Sequence, residues 1–258
     1  MKNFTPTLIL TYLILFLPNS IKASVTYEEF KQLKEITFKV FEELKPSDDY
    51  HLFINKQPTS YSNPNSTEEK YWWNLDLINA SFFKIENKEK KEFYLTVFGG
   101  FAKQEFMEPD ALAVTLCHEL AHGLGGDPVK ENGTTTEGQA DYFATNICLP
   151  LFYEYYPRII DAVASNPYIE DLCSREDTRG NKKYCIRAMN ALHADMKFFE
   201  LLGGKSRYDG ASTIRAKEFN LSSTFYPDAQ CRIDIMIHGI LDQLRPNCFD
   251  PFGIERIL

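Results

Sequence analysis

Two histidines and a glutamate stand at a spacing that suits a bound metal ion. His118 and His122 are four positions apart in His118-Glu119-Leu120-Ala121-His122, and a helix would place both imidazole rings on one face. Glu119 follows the first histidine directly, so its carboxylate would lie beside the metal, where a general base toward water is needed. The pattern predicts a site for one zinc ion, with Glu119 as the catalytic base.

A second helical pattern supplies two further carboxylates. Glu137 and Asp141 are again four positions apart, so a helix would place them on one face. Two histidines and one glutamate form a known zinc ligand set that leaves the fourth position open. We therefore expect Glu137 to be the third ligand. Asp141, one turn later, is expected to accept the free ring N–H of His118 and so fix its tautomer.

The metzincin pattern offers a different position for the third ligand. In metzincins the pattern continues as His-Glu-x-x-His-x-x-Gly-x-x-His, with Asp sometimes in the last position. Gly125 matches the glycine, but Pro128 stands where the ligand should be, and Asp127 is one residue short. Proline offers no metal-binding side chain, so the metzincin interpretation is disfavoured and Asp127 remains only a rival ligand.

These motifs resemble those of gluzincin-type zinc metallopeptidases, most closely the CAAX prenyl protease and HtpX-like peptidases. In those families Glu-x-x-Ala-Asp follows the His-Glu-x-x-His helix, as residues 137–141 do here. A later His-Pro-x-x-x-x-Arg-Ile element is similar to residues 226–233. The resemblance covers about residues 93–243 and implies a zincin-like peptidase. This chain would be a soluble, exported form, because it lacks the transmembrane helices of many relatives.

The resemblance also implies roles outside the metal ligands. Tyr226 stands where the family has histidine, and its hydroxyl would donate a hydrogen bond to the oxyanion. Arg232 is interpreted as an ion-pair anchor for Asp141 or Glu137, with contact to a substrate carbonyl as the alternative. Residues 93–98 are expected to form an edge strand that pairs with an extended substrate, although their aromatic density also suits an interior strand.

Periodicity predicts the elements that must position these residues. Apolar residues at helical spacing predict helices at 26–45, 111–124 and 136–148, with Pro109 near the first turn of the second. Further helices are expected near 152–164, 181–202 and 228–243. Aromatic and β-branched residues in 71–85 and 93–98, separated by a charged turn, favour antiparallel strands. The predicted fold is α+β and zincin-like: a small antiparallel sheet packed on the motif helix, with a mostly helical C-terminal half.

Charge and the first residues restrict partners and location. The formal net charge is −8, which disfavours nucleic acid and anionic membranes as partners. Residues 1–23 have a positive start, an apolar run from Leu8 to Leu17 and a break at Pro18, as in a secretory signal peptide. We expect a single domain at 24–258, secreted or periplasmic, with no stable membrane span after cleavage. A short anchor that stays attached is the alternative.

Export would make the six cysteines a disulfide framework. Local spacing favours Cys173–Cys185 and Cys231–Cys248, which leaves Cys117 with Cys148. Buried free thiols are the alternative. The remaining histidines have no companion at ligand spacing and are interpreted as structural: His51, His193 and His238.

The sequence thus predicts a secreted zinc endopeptidase acting on peptide or protein substrates. Glu119 would assist the attack of water at the zinc site. Two alternatives remain: a zinc-stabilised binding or inhibitory protein without turnover, and a latent enzyme whose cleft is covered by residues 24–70 or by the cysteine-containing tail.

Overall fold

A computed structural model describes residues 24–58, 68–87, 90–157, 166–175 and 181–251. The predicted signal peptide and the end of the predicted 152–164 helix lie outside these residues.

The described elements form an α+β fold with a small three-stranded sheet, as expected in general terms. The strands are β1 (Tyr50–Ile54), β2 (Ala80–Glu86) and β3 (Lys91–Val97). The helices are α1 (Tyr27–Leu44), α2 (Glu69–Asn74), α3 (Gly99–Ala102), α4 (Pro109–Leu124), α5 (Glu137–Phe143), α6 (Leu149–Tyr155), α7 (Pro167–Arg175), α8 (Lys182–Leu201) and α9 (Ala229–Ile240). A π-helical turn, Ala144–Cys148, joins α5 to α6.

The sheet differs from the prediction in two ways. Its strand order is β1-β3-β2, and β1 runs parallel to β3 while β2 runs antiparallel to it. The sheet is therefore mixed. The prediction of an antiparallel sheet was wrong because it did not include β1. The predicted edge strand at 93–98 is in fact the central strand β3, whose residues from Phe93 onward are buried. Among the described residues, β1 and β2 are the two edge strands.

One strand boundary was also wrong. The predicted strand at 71–85 begins at Ala80, because residues 69–74 form α2, where the ring of Trp73 stacks on Phe30 of α1. Aromatic residues that resembled strand residues therefore pack a helix into the core.

Helix α4 is the centre of the molecule. Most of its residues are buried, as expected for a helix that is apolar on nearly all sides. It contacts α1, α5, α8 and two strands of the sheet. Gly123 permits the closest approach, since an added Cβ would lie 2.4 Å from the ring of Phe93 and 2.8 Å from that of Phe82. The sheet is thus packed directly on the helix that carries both histidines, as predicted.

The predicted helix at 136–148 is present but not uniform. It is α-helical through Phe143 and then forms the π-helical turn. Asn146 in this turn donates through Nδ2 to the Gly239 carbonyl (3.0 Å) and to Asp242 Oδ1 (2.9 Å). A π turn inserts extra backbone into a helix, and here it directs a buried amide toward α9.

Three disulfides confirm the favoured pairing: Cys117–Cys148, Cys173–Cys185 and Cys231–Cys248. The free-thiol alternative is wrong for all six cysteines. Such bonds are compatible with an oxidising compartment. In the described part of the chain, none of the helices has the length and apolar character needed to cross a membrane.

Candidate metal centre

Two helices and the loop between them assemble the candidate centre. Helix α4 carries His118, Glu119 and His122, and α5 begins with Glu137. The loop folds back so that the Thr135 N–H donates to the His122 carbonyl (2.9 Å), while the Thr135 carbonyl lies 2.9 Å from His122 Nδ1. One loop residue therefore fixes both the end of α4 and the orientation of the His122 ring.

The three expected ligand side chains converge. His118 Nε2 lies 3.3 Å from Glu137 Oε2, and His122 Nε2 lies 3.6 Å from Glu137 Oε1. The donor atoms of all three residues fall within 4.8 Å of one another. Their side chains are 12%, 10% and 4% exposed, respectively. This group can hold a metal ion, and its geometry alone does not identify the metal.

The far side of each histidine ring is occupied. His122 Nδ1 faces the Thr135 carbonyl, and His118 Nδ1 lies 2.8 Å from Asp141 Oδ1, in a short contact bent away from the ring N–H direction. A proton on each Nδ1 leaves the Nε2 lone pairs free to bind a metal. Both Nε2 atoms face Glu137, so the rings are oriented for shared coordination.

Arg232 of α9 holds the second carboxylate in place. Its Nε and one terminal nitrogen each donate to Asp141 at 2.7 Å, and the same terminal nitrogen lies 3.7 Å from Glu137 Oε2. The anchor interpretation of Arg232 agrees with this two-pronged pair. The positive charge of Arg232 also explains the low pKa of Asp141. Burial opposes ionisation of this carboxyl group, but Arg232 and His118 outweigh that effect.

Lys130 is a site residue that the sequence analysis missed. Its ammonium donates to Glu137 Oε1 at 2.6 Å, and the residue is only 8% exposed. It lies in the loop between α4 and α5, where an isolated bridge joins Val129 to Thr135. No spacing rule marks a loop lysine as a partner of a helix carboxylate seven residues later, so the sequence carried no usable signal.

Glu119 and His122 titrate far from their ordinary ranges. Burial raises the pKa of Glu119 to about 7, and burial together with the charge of His118 lowers the pKa of His122 to about 4. For His118, burial disfavours protonation, but the adjacent carboxylates outweigh it and raise the pKa to about 10. A carboxylate with a pKa near neutrality is suited to accept and return a proton.

The centre opens into a cavity of about 590 Å³. Its lining includes residues 78–82, which are the first residues of β2 and the segment before it, and residues of α8 and α9. Glu119 lines this space together with the three proposed ligands. Asp195 of α8 also reaches it and was missed by the sequence analysis.

Asp195 did leave a signal in the sequence. It falls on the stripe of Ala188, Leu192 and Phe199, at the spacing of a buried helix face. A carboxylate on an otherwise apolar stripe either has a buried partner or faces a cavity. The cavity explains its position here.

The other candidate residues lie at the rim or elsewhere. Tyr226 lines the cavity and is 59% exposed, with its ring 5.7 Å from Lys130 Nζ. Asp127 is exposed and outside the ligand group. The histidines interpreted as structural do not line the cavity: His51, His193 and His238. The structure thus assembles the predicted ligand group and does not add the rival ligand to it.

Comparison with known proteins does not assign the chain to a family: no protein-family model matches it, and neither the curated proteins nor the solved structures yield a match.

Proposed function

We propose that this protein is a secreted, gluzincin-type zinc endopeptidase with a zincin-like fold. The observation that carries the proposal is the convergence of His118, His122 and Glu137 on one point beside Glu119, inside an open cavity. Metal-binding residues alone favour only a metal protein. The buried Glu119, on the same helix as the two histidines, adds the general base that peptide hydrolysis requires.

The donor set fits zinc. Ligand atoms about 2.0–2.1 Å from a tetrahedral ion are separated by roughly 3.3 Å. The two nitrogen-to-oxygen distances of 3.3 and 3.6 Å are close to that value. A bound zinc ion would polarise the substrate carbonyl and make water a stronger acid. His118, His122 and Glu137 would hold it, and Asp141 and Lys130 would fix the ligand orientation.

The chain's own residues would carry the proton and position the substrate. Glu119 accepts the proton of the attacking water on its carboxylate and delivers it to the leaving amine nitrogen. Its burial favours this role, because the carboxyl is then basic enough to take the proton near neutral pH. Tyr226 lines the cavity, and its hydroxyl would donate a hydrogen bond to the developing oxyanion.

The cavity wall suits an extended peptide. In the described residues no backbone hydrogen bond joins the outer edge of β2 to another segment, so its N–H and C=O groups are available to a substrate strand. Exposed apolar side chains stand at the rim: Ile78, Leu202 and Tyr226. This arrangement favours unfolded or flexible protein segments over small polar molecules as substrates.

The test compares zinc-loaded protein, chelated protein and the Glu119→Gln variant on an unfolded protein substrate. The zinc-loaded wild type should cleave it, a chelator should abolish cleavage, and added zinc should restore it. Glu119→Gln should keep about one zinc per chain but lose roughly 10²–10⁴-fold in kcat/KM, the usual contribution of a general base. Metal analysis and peptide mapping measure both properties.

The matched control is Glu105→Gln, which removes an exposed carboxylate outside the cavity and should leave cleavage unchanged. Full activity in Glu119→Gln would contradict the mechanism. Zinc binding without cleavage of any substrate would favour the silent binding or inhibitory protein instead. Mass determination of the mature N-terminus, expected at residue 24, tests the secretory part of the proposal.

A further inference from the structure

The cavity has one carboxylate, that of Asp195, to which the proposed reaction gives no role. Asp195 lies on α8 and lines the cavity. Apolar residues of the same cavity wall include Phe101, Val114, Phe198, Phe199 and Met236. Burial of an ionised carboxylate costs free energy because the group loses its hydration. Such a group therefore needs a hydrogen-bond donor or a cation as a partner.

One of the two carboxylate oxygens has no such partner among the described residues. Asp195 Oδ2 is buried and has no hydrogen-bond partner there, and none of the observed ion pairs includes Asp195. Two cationic side chains of this cavity are already engaged: Lys130 with Glu137, and Arg232 with Asp141. Glu137 and Asp141 therefore each have a cationic partner, whereas Asp195 Oδ2 has none among the described residues.

We propose that Asp195 forms a subsite for a basic side chain, lysine or arginine, of the bound peptide. A basic residue has the two parts that this wall would accept. Its aliphatic stem would pack on the Phe198 and Phe199 rings, and its charged end would pair with the carboxylate. The selectivity for cleavage rests on the proposed peptidase function, whereas the binding preference does not.

The subsite would distinguish basic from apolar substrate residues through the free-energy cost of leaving the Asp195 carboxylate unpaired. An apolar substrate residue of the same length would fill the wall but leave Asp195 dry and unpaired. An acidic residue would add like-charge repulsion. Burial, with the charge of Asp141, already raises the pKa of Asp195 to about 7, and a cation in the subsite would shift it back toward the ionised form.

Peptide binding can be measured without cleavage in zinc-loaded Glu119→Gln protein. Fluorescence anisotropy would compare labelled peptides that place lysine, norleucine or glutamate in turn at each position. At one position lysine should bind at least about tenfold tighter than norleucine, since a site built for a polar group rejects an analogue that lacks it. Asp195→Asn, nearly the same shape, should remove that preference, and Asp195→Glu should retain part of it.

The matched control is Glu200→Gln, which removes an exposed carboxylate from the same helix and should keep the preference. Thermal melting verifies that each variant is folded. A lysine preference that persists in Asp195→Asn, or no lysine preference in the starting protein, would overturn the proposal.

The two proposals fail separately. Cleavage by the wild type with no enrichment of basic residues at any position would reject the subsite and leave the peptidase standing. Lysine binding that depends on Asp195, in a protein that cleaves nothing, would reject the peptidase and support the subsite.

Discussion

At the scale of single residues, the candidate centre is a set of opposite charges held at short distance. Lys130 contacts one oxygen of Glu137 at 2.6 Å, while the other oxygen faces His118 at 3.3 Å. Arg232 holds Asp141, which in turn faces the other nitrogen of His118. Each proposed ligand is therefore positioned by a neighbour before any metal binds, which reduces the cost of ordering the site.

Glu137→Ala should lower zinc content from about one ion per chain to nearly none. It removes one of three ligands and leaves Lys130 beside the two histidines, where its charge repels a cation. Metal analysis after dialysis against a weak chelator measures the change. Asp127→Ala, which alters an exposed acid outside the group, is the control and should retain its zinc. The reverse result would make Asp127 the ligand.

The residue scale was the most predictable part of the site. His118 and His122 are four positions apart, and so are Glu137 and Asp141. Because residues four apart lie on the same face of a helix, each pair could be placed together from the sequence. Lys130 and Asp195 were not predicted. The first depends on how a loop folds back, and the second on which side of α8 faces the cavity. The apolar stripe of α8 marks Asp195 as unusual, but the loop path and the helix face that borders the cavity both depend on tertiary packing.

At the scale of elements, α4 is fixed at both ends. Its first turn carries Asp110, which receives hydrogen bonds from Arg187 of α8 at 2.7 and 3.0 Å. The Arg187 guanidinium also lies 3.6 Å from the centre of the Tyr153 ring. The negative charge of Asp110 also interacts favourably with the positive N-terminal end of the helix dipole. The other end packs on the sheet at Gly123.

Arg187→Met should lower the free energy of unfolding by about 2–3 kcal/mol. Asp110 would lose a largely buried partner, and such losses are costly even where the intact pair contributes little. Urea denaturation monitored by fluorescence measures the effect. Arg187→Lys should give a smaller loss, because lysine cannot make the two-pronged contact.

The control for this prediction is Arg207→Met. It removes an exposed ion pair with Asp209 and should cause no measurable change. Equal effects at Arg187 and Arg207 would contradict the argument that α4 is anchored at its first turn.

Helices were easier to predict than the sheet. The periodicity of α1, α4, α8 and α9 is local, so their positions were found to within a few residues. Strand order depends on contacts between distant segments: β1 pairs with β3 some 41 positions later. The buried Asn55 extends this pairing through its side chain, which bonds both the N–H and the carbonyl of Val97. A polar residue of that kind resembles a loop residue in the sequence.

At the scale of the whole molecule, three disulfides fix the helical part of the fold. Cys117–Cys148 joins α4 to the π-helical turn, Cys173–Cys185 joins α7 to α8, and Cys231–Cys248 joins α9 to the C-terminal segment. Only the first has a cysteine next to a proposed metal ligand, His118. The bonds therefore differ in what their loss should affect.

Replacing Cys117 and Cys148 together by alanine should lower stability by about 4 kcal/mol, and replacing Cys173 and Cys185 by about 3 kcal/mol, from the loops of 31 and 12 residues they close. Only the first pair should also weaken zinc binding, because it releases the backbone beside His118. Thermal melting and zinc titration separate the two effects. Equal zinc affinity in both double variants would show that the ligand helix does not need this bond.

The open edge of β2 has a consequence for the protein in concentrated solution. In the described residues the outer N–H and C=O groups of β2 have no backbone partner. If they receive a substrate strand, as proposed, they are equally able to receive the β2 strand of a second copy, the route by which edge strands associate. Lys84 and Glu86, paired at 3.1 Å in the last part of this strand, would have to give up hydration in such an assembly. Their charges protect the outer half of the edge from self-association, while the half beside the cavity stays open to an incoming chain.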